Sequence, residues 1–174
     1  MENRAKNRLT ERTTKMEQTY SYEIANAIKT FLQNDDWKFT FKEDTGTFQF
    51  GLNLKTKLKS VNYIIRVKMD DYTVYAISPI SADENDSEMM QKMAEFVCRA
   101  NYGLRNGNFE LDVRDGELRY KSFVDCEDTV PTMSMIHNSI YCPAGMFKRY
   151  SPGILDIIFG DTTAEEAVAR CEND

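Results

Sequence analysis

The sequence predicts an α+β fold. The expected architecture is an antiparallel sheet of about five to six strands with helices packed on one face, in the order helix, strands, helix, hairpin, helices. Three observations carry that expectation. Aromatic and aliphatic residues alternate with polar ones in runs between Trp37 and Ala76, the period of half-buried strands. Apolar residues recur at helical spacing on either side of that block, from Tyr20 to Leu32 and from Met89 to Ala100. Asp115-Gly116 then separates two further alternating runs, and this dipeptide favours a tight hairpin.

Residues 1–18 alternate charge without an apolar stripe and are expected to form a flexible lead-in to a single α+β domain over 19–174. In the first helix Tyr20, Ile24, Ala27, Ile28, Phe31 and Leu32 share a face, and Asn34-Asp35-Asp36 ends the run. Trp37, Phe39 and Phe41 then point one way and Lys38, Thr40 and Lys42 the other. After Asp44-Thr45-Gly46, the residues Phe48, Phe50, Leu52 and Leu54 repeat the pattern. Lys55–Ser60 is a basic connector. Val61, Tyr63, Ile65, Val67 and Met69 alternate again, and Tyr72, Val74 and Ala76 return from a turn placed at Asp70-Asp71. That turn would set Ile64 opposite Ile77 and Arg66 opposite Tyr75.

Pro79 and the polar stretch 81–86 close this block. Met89, Met93, Phe96, Val97 and Ala100 form a second helix, with carboxylates around its start favouring the helix dipole and Gly103 as its stop. In the hairpin 109–124, a two-residue turn at Asp115-Gly116 would pair Arg114 with Glu117, Asp112 with Arg119 and Glu110 with Lys121. On the other face it would pair Val113 with Leu118 and Leu111 with Tyr120. Pro131 opens a third helix with Met133, Ile136, Ile140 and Tyr141 on one side. Pro143 and Gly145 should kink or break it, and Ser151-Pro152 should start a short separate helix ending at Phe159-Gly160. Thr162 and Thr163 each precede a glutamate by three residues, a capping-box arrangement for a last helix.

Composition narrows the function. The 174 residues carry 22 Lys+Arg against 28 Asp+Glu, a net charge of −6, whereas dedicated nucleic-acid binders are usually basic. A single histidine excludes histidine-rich metal cages and paired-imidazole chemistry. The polar start offers no apolar core for a signal peptide, and no stretch has the ~18 apolar residues of a membrane helix. A cytosolic location follows as the expectation. Cys98, Cys126, Cys142 and Cys171 stand at least sixteen positions apart, without the C-x-x-C spacing of zinc ribbons or redox sites, and read as free thiols.

No catalytic, cofactor-binding or metal-ligating constellation emerges. His137 beside Ile136 could be paired with Cys98 or Cys142, but neither cysteine sits in a glycine-rich elbow or a basic pocket. Asp125, Glu127 and Asp128 flank Cys126, and Asp83–Asp86 form another acidic group. Both are contiguous loop charge, whereas carboxylate catalysis needs groups from separate elements converging on one cleft. No phosphate-binding fingerprint is present. Lys55, Lys57 and Lys59, with Arg66 and Lys68, read as one basic patch beside the aromatic strands. Phe48, Phe50, Tyr63 and Trp37 fall on the inner face, so nucleic-acid binding is not favoured.

One group resists a purely structural explanation. Ile64, Tyr75 and Ile77 fall on the face opposite the core, and Phe123 does the same on the second hairpin, on the side of Arg119 and Lys121. Either another helix of the chain covers them, or together they form a protein-contact patch.

The element order resembles the YbjN-type family of bacterial sensory-transduction regulators, whose fold is similar to that of type III secretion chaperones. The resemblance rests on Phe31-Leu32-Gln33-Asn34-Asp35-Asp36-Trp37, on Asn101–Asp112, on Asp115-Gly116-Glu117-Leu118-Arg119-Tyr120, and on Tyr150-Ser151-Pro152-Gly153-Ile154 closing on Phe159-Gly160. It spans roughly residues 20–160. It implies a small bacterial cytosolic regulator or chaperone-like adaptor that binds proteins, a homodimer as an indirect expectation, no cofactor, no membrane and no carried-over catalytic residue. The contrasting expectation is a small-ligand binder or hydrolase using carboxylates near Asp125–Asp128 with His137.

Overall fold

The computed structural model describes residues 18–173, so the expected lead-in lies outside the described residues, apart from Gln18. Helix α1 spans Tyr22–Asn34. Ser21 caps it by accepting from the Ile24 N–H, and Ile24, Ile28, Phe31 and Leu32 form its buried stripe. Tyr20 is buried just before the helix rather than within it. Strands β1 (Phe39–Lys42), β2 (Thr47–Asn53), β3 (Ser60–Val67) and β4 (Asp71–Ile77) follow as a meander. Then come α2 (Ser87–Asn101), β5 (Asn108–Leu111), β6 (Leu118–Asp125), α3 (Met133–Phe159) and α4 (Ala164–Glu172). The six strands form one antiparallel sheet in the order β1-β2-β3-β4-β6-β5. This is the α+β class the sequence predicts.

The inward residues of the sheet, including Phe48, Tyr63, Ile65, Tyr72, Val74, Phe109 and Tyr120, are buried in one core with the helices. Helix α3 crosses β4 and β6 on that side, α1 packs on α3, and α2 and α4 pack on each other and on α3. Two buried tyrosines tie the layers together. The Tyr63 hydroxyl donates to the Ile140 carbonyl at 2.7 Å, and the Tyr72 hydroxyl meets Ser139 Oγ at 3.1 Å. Burial disfavours the phenolates, pushing Tyr72 up to about 12 and Tyr63 higher still.

Two hairpin registers differ from those expected, each by two residues. Glu110 faces Arg119 and Leu111 faces Leu118, so Lys121 stands opposite Asn108 and Arg114 has no strand partner. The turn is longer than two residues. Asp112 accepts the Gly116 N–H at its carbonyl and the Arg114 N–H at its carboxylate, and Val113 is left 70% exposed. Gly116 takes φ +71°, and a Cβ there would collide with the Ala82 carbonyl. The segment after β4 packs on this turn, with the Ala82 N–H donating to the Gly116 carbonyl at 3.1 Å, and only glycine takes this positive φ without a clash. In the β3–β4 hairpin Lys68 bonds to Asp71, which places the turn at Met69-Asp70 and sets Ile64 against Tyr75. A slip of two preserves every inward and outward assignment.

Helix α3 is the larger correction. Its 27 residues run unbroken through Pro143 and Pro152, where the sequence suggested a break and a separate short helix. Ile136, Ile140, Pro143, Phe147, Tyr150, Ile154 and Ile157 are all buried, in alternating steps of four and three that keep one side of the helix against the core. Each internal proline costs roughly 3 kcal/mol, and the sustained burial offsets it. Pro152 also leaves the Lys148 carbonyl without its helical donor, and the Ser151 hydroxyl supplies one at 3.3 Å. The last helix has the expected capping box, between Thr163 and Glu166.

Candidate protein-contact face

Alternation puts the other side chains of the six strands on the face away from the helices. They align across the sheet in three rows. The first is Lys42–Thr47–Arg66–Thr73–Phe123, the second Thr40–Gln49–Ile64–Tyr75–Lys121–Asn108, and the third Gly51–Asn62–Ile77–Arg119–Glu110. Among the described residues no helix covers this face. Ile64, Tyr75 and Ile77 are half-buried by their neighbours in the sheet, and Phe123 is 56% exposed. Ile64 and Tyr75 are direct cross-strand partners, Ile77 is two residues along from Tyr75, and Phe123 is diagonal to it. The four residues thus cluster around Tyr75.

Cations surround that centre. The guanidinium carbons of Arg119 and Arg66 lie 4.5 and 5.6 Å from the Tyr75 ring centroid, within cation–π range. Arg119 and Lys121 share the Glu110 carboxylate. Burial opposes ionisation of Glu110, but hydrogen bonds from Lys121 and Arg119 outweigh it and lower its pKa. Arg66 and Lys42 have no carboxylate partner within 4.0 Å among the described residues. Two open depressions meet at Ile64 and Gln49. One, of about 340 Å³, is lined also by Asn62 and Ile77. The other, of about 470 Å³, is lined also by Lys42, Asp44, Thr47, Arg66 and Lys68. At the far end of the face Asp71 stands opposite Asp125.

The expected single basic patch is divided. Lys55, Lys57 and Lys59 precede β3, whereas Arg66 and Lys68 lie at its other end. At about 3.3 Å per residue the two groups are on the order of 20 Å apart. The sequence sets Arg66 directly opposite Tyr75; the structure moves it to the diagonal, opposite Thr73, from where it still reaches the ring. The contact of Arg119 with the same ring is not announced by the sequence, although Arg119 shares parity with Lys121 and Phe123.

The residues of the alternative catalytic reading fall in separate surroundings. His137 is exposed and stacked on Tyr141 at 4.4 Å between ring centroids, with Phe31 edge-on. Asp35 accepts from both the Tyr141 hydroxyl (2.7 Å) and the Trp37 indole (2.8 Å), which lowers its carboxyl pKa. Asp128 and Cys126 line a different depression with Glu23, Asp70 and Val130. Cys98 is exposed and Cys142 half-buried, and all four cysteines are free. A further hollow, of about 710 Å³, is lined by Tyr20, Tyr22 and Phe41 together with Glu43 and Asp44. No group of three metal-ligating side chains occurs among the described residues.

Comparison adds no relative. No family model matches the chain, and neither does any curated protein or solved structure. Among the described residues, no helix is long and apolar enough to cross a membrane.

Proposed function

We propose that the protein is a non-enzymatic protein-binding regulator or chaperone-like adaptor of a bacterial cytosol, of the YbjN type, which engages its partner through the open sheet face. The observation that carries this reading is the Ile64–Tyr75–Ile77 cluster, contiguous on a face that no described helix covers. Apolar groups held on a rigid sheet and rimmed by polar side chains suit protein recognition. The separation of His137 from the Asp125–Asp128 loop also favours binding over the hydrolase alternative, since general acid–base work needs those groups within hydrogen-bond reach.

The test is capture from native lysate by the wild-type chain and by the triple variant Ile64→Thr, Tyr75→Thr, Ile77→Thr, with circular dichroism confirming the fold. Threonine keeps strand propensity while removing the apolar surface. Specific partners retained by the wild type and lost by the folded variant support the reading. Identical capture by both removes the face from partner binding.

A further inference from the structure

Charge and stacking on the open face specify what kind of segment it takes. The chain as a whole carries −6, yet the three rows holding the apolar cluster carry Lys42, Arg66, Arg119 and Lys121 against Glu110 alone. Glu110 is already engaged by Arg119 and Lys121, and Arg119 also meets Glu117 at 3.8 Å, so Arg66 and Lys42 are the cations of these rows without a carboxylate partner among the described residues. The carboxylates Asp71 and Asp125 stand outside these rows, at the sheet end.

Arg66 is the cation best placed to meet a partner. It is exposed, lies against the Tyr75 ring and lines the depression that adjoins Ile64, where Lys42, Arg66 and Lys68 outnumber Asp44. A guanidinium resting on an aromatic face keeps its N–H edge free, and that edge matches a carboxylate with two parallel hydrogen bonds. Stacking also restricts the side chain beforehand, so less freedom is lost on binding.

Resting on the proposed role of this face, we infer that its partner is an acidic polypeptide segment. Apolar side chains of the segment cover Ile64, Tyr75 and Ile77, and a neighbouring Asp or Glu pairs with Arg66. A second copy docked face to face would set like cations against each other, which disfavours a homodimer through this surface. Single-stranded nucleic acid would need several open aromatic faces for successive bases, and of the two aromatic side chains on these rows only Phe123 is exposed. At Tyr75 the guanidinium groups of Arg66 and Arg119 occupy that role.

The test pans a random phage-displayed peptide library on the full chain, followed by synthesis of the recovered peptides. Recovered sequences should be enriched in Asp and Glu beside Leu, Ile or Phe. They should bind the Arg66→Glu variant at least about tenfold more weakly, and peptides with Lys in place of the acids should regain affinity for that variant. Absence of acidic enrichment, or equal affinity for Arg66→Glu, overturns the acidic-segment inference. The face itself stands in that case if Ile64→Thr, Ile77→Thr still abolishes binding. Peptides that bind this double variant undiminished overturn the reading of the face. Recovery of no peptide above background overturns the inference. So does oligothymidine binding more tightly than the acidic peptides, or a dimer in sedimentation that Arg66→Glu alters.

Discussion

Tyr72 and Ser139 meet hydroxyl to hydroxyl, 3.1 Å apart, inside the core. The Ser139 proton is committed to the Ile136 carbonyl at 2.8 Å, so Tyr72 is the donor and Ser139 the acceptor. This relay fixes α3 to the inner side of β4, the strand whose outer side carries Tyr75. Ser139→Ala leaves a buried phenol without its acceptor and should cost about 1–3 kcal/mol. Adding Tyr72→Phe should cost little more or recover part of the loss. Urea denaturation of both single variants and the double variant checks the coupling.

Asp71 and Asp125 face each other across β4 and β6. Burial raises the Asp71 carboxyl pKa, Asp125 and Asp70 add to the shift, and Lys68 opposes it. A carboxylate pKa raised in the folded state means that stability falls as pH rises from the unfolded value, about 3.9, through the folded one. Asp71→Asn should therefore stabilise the chain at pH 7, by a few tenths to about 1 kcal/mol. The gain should vanish below about pH 3, where the group is protonated in both states. Denaturation midpoints measured at several pH values decide the sign.

Gly153 lies where α3 approaches α2 and α4. A Cβ there would come within 2.6 Å of Phe96 Cε2 and 2.7 Å of the Ala167 carbonyl. Alanine gains about 1 kcal/mol in helix propensity, but overpacking of this kind costs about 1–3 kcal/mol. Gly153→Ala should destabilise, because the Ala167 backbone cannot move aside as a flexible side chain could. A lower thermal midpoint is the expected result.

Glu110→Gln separates stability from recognition. Arg119 and Lys121 lose their shared carboxylate, at a cost of about 0.5–1 kcal/mol for a pair partly screened by solvent. The face becomes more cationic, so acidic peptides selected on the wild type should bind about threefold more tightly at low salt. Fluorescence anisotropy at two salt concentrations measures the gain, which salt should diminish.

Much of this molecule was legible in the chain. The alternation from Phe39 to Ile77 placed Phe48, Tyr63 and Tyr72 inward and Ile64, Tyr75 and Ile77 outward, and the structure keeps every one of those assignments. Registers were less legible, because a slip of two changes partners without changing faces. In α3 the prolines outweighed a visible signal. The spacing of Ile136, Ile140, Phe147, Tyr150, Ile154 and Ile157 already described one continuous side.

By itself, the sequence determined which residues belong to each face, because side-chain period is a property of the local backbone. Tertiary structure decided what packs on the Asp115-Gly116 turn, since Ala82 meets it from a distant segment. It also decided that α3 survives two prolines, since only the assembled core supplies the burial that offsets them. Whether the cluster around Tyr75 stays open depends likewise on where the helices pack. The helices of the described residues lie on the opposite side of the sheet, where Tyr63 and Tyr72 hold α3.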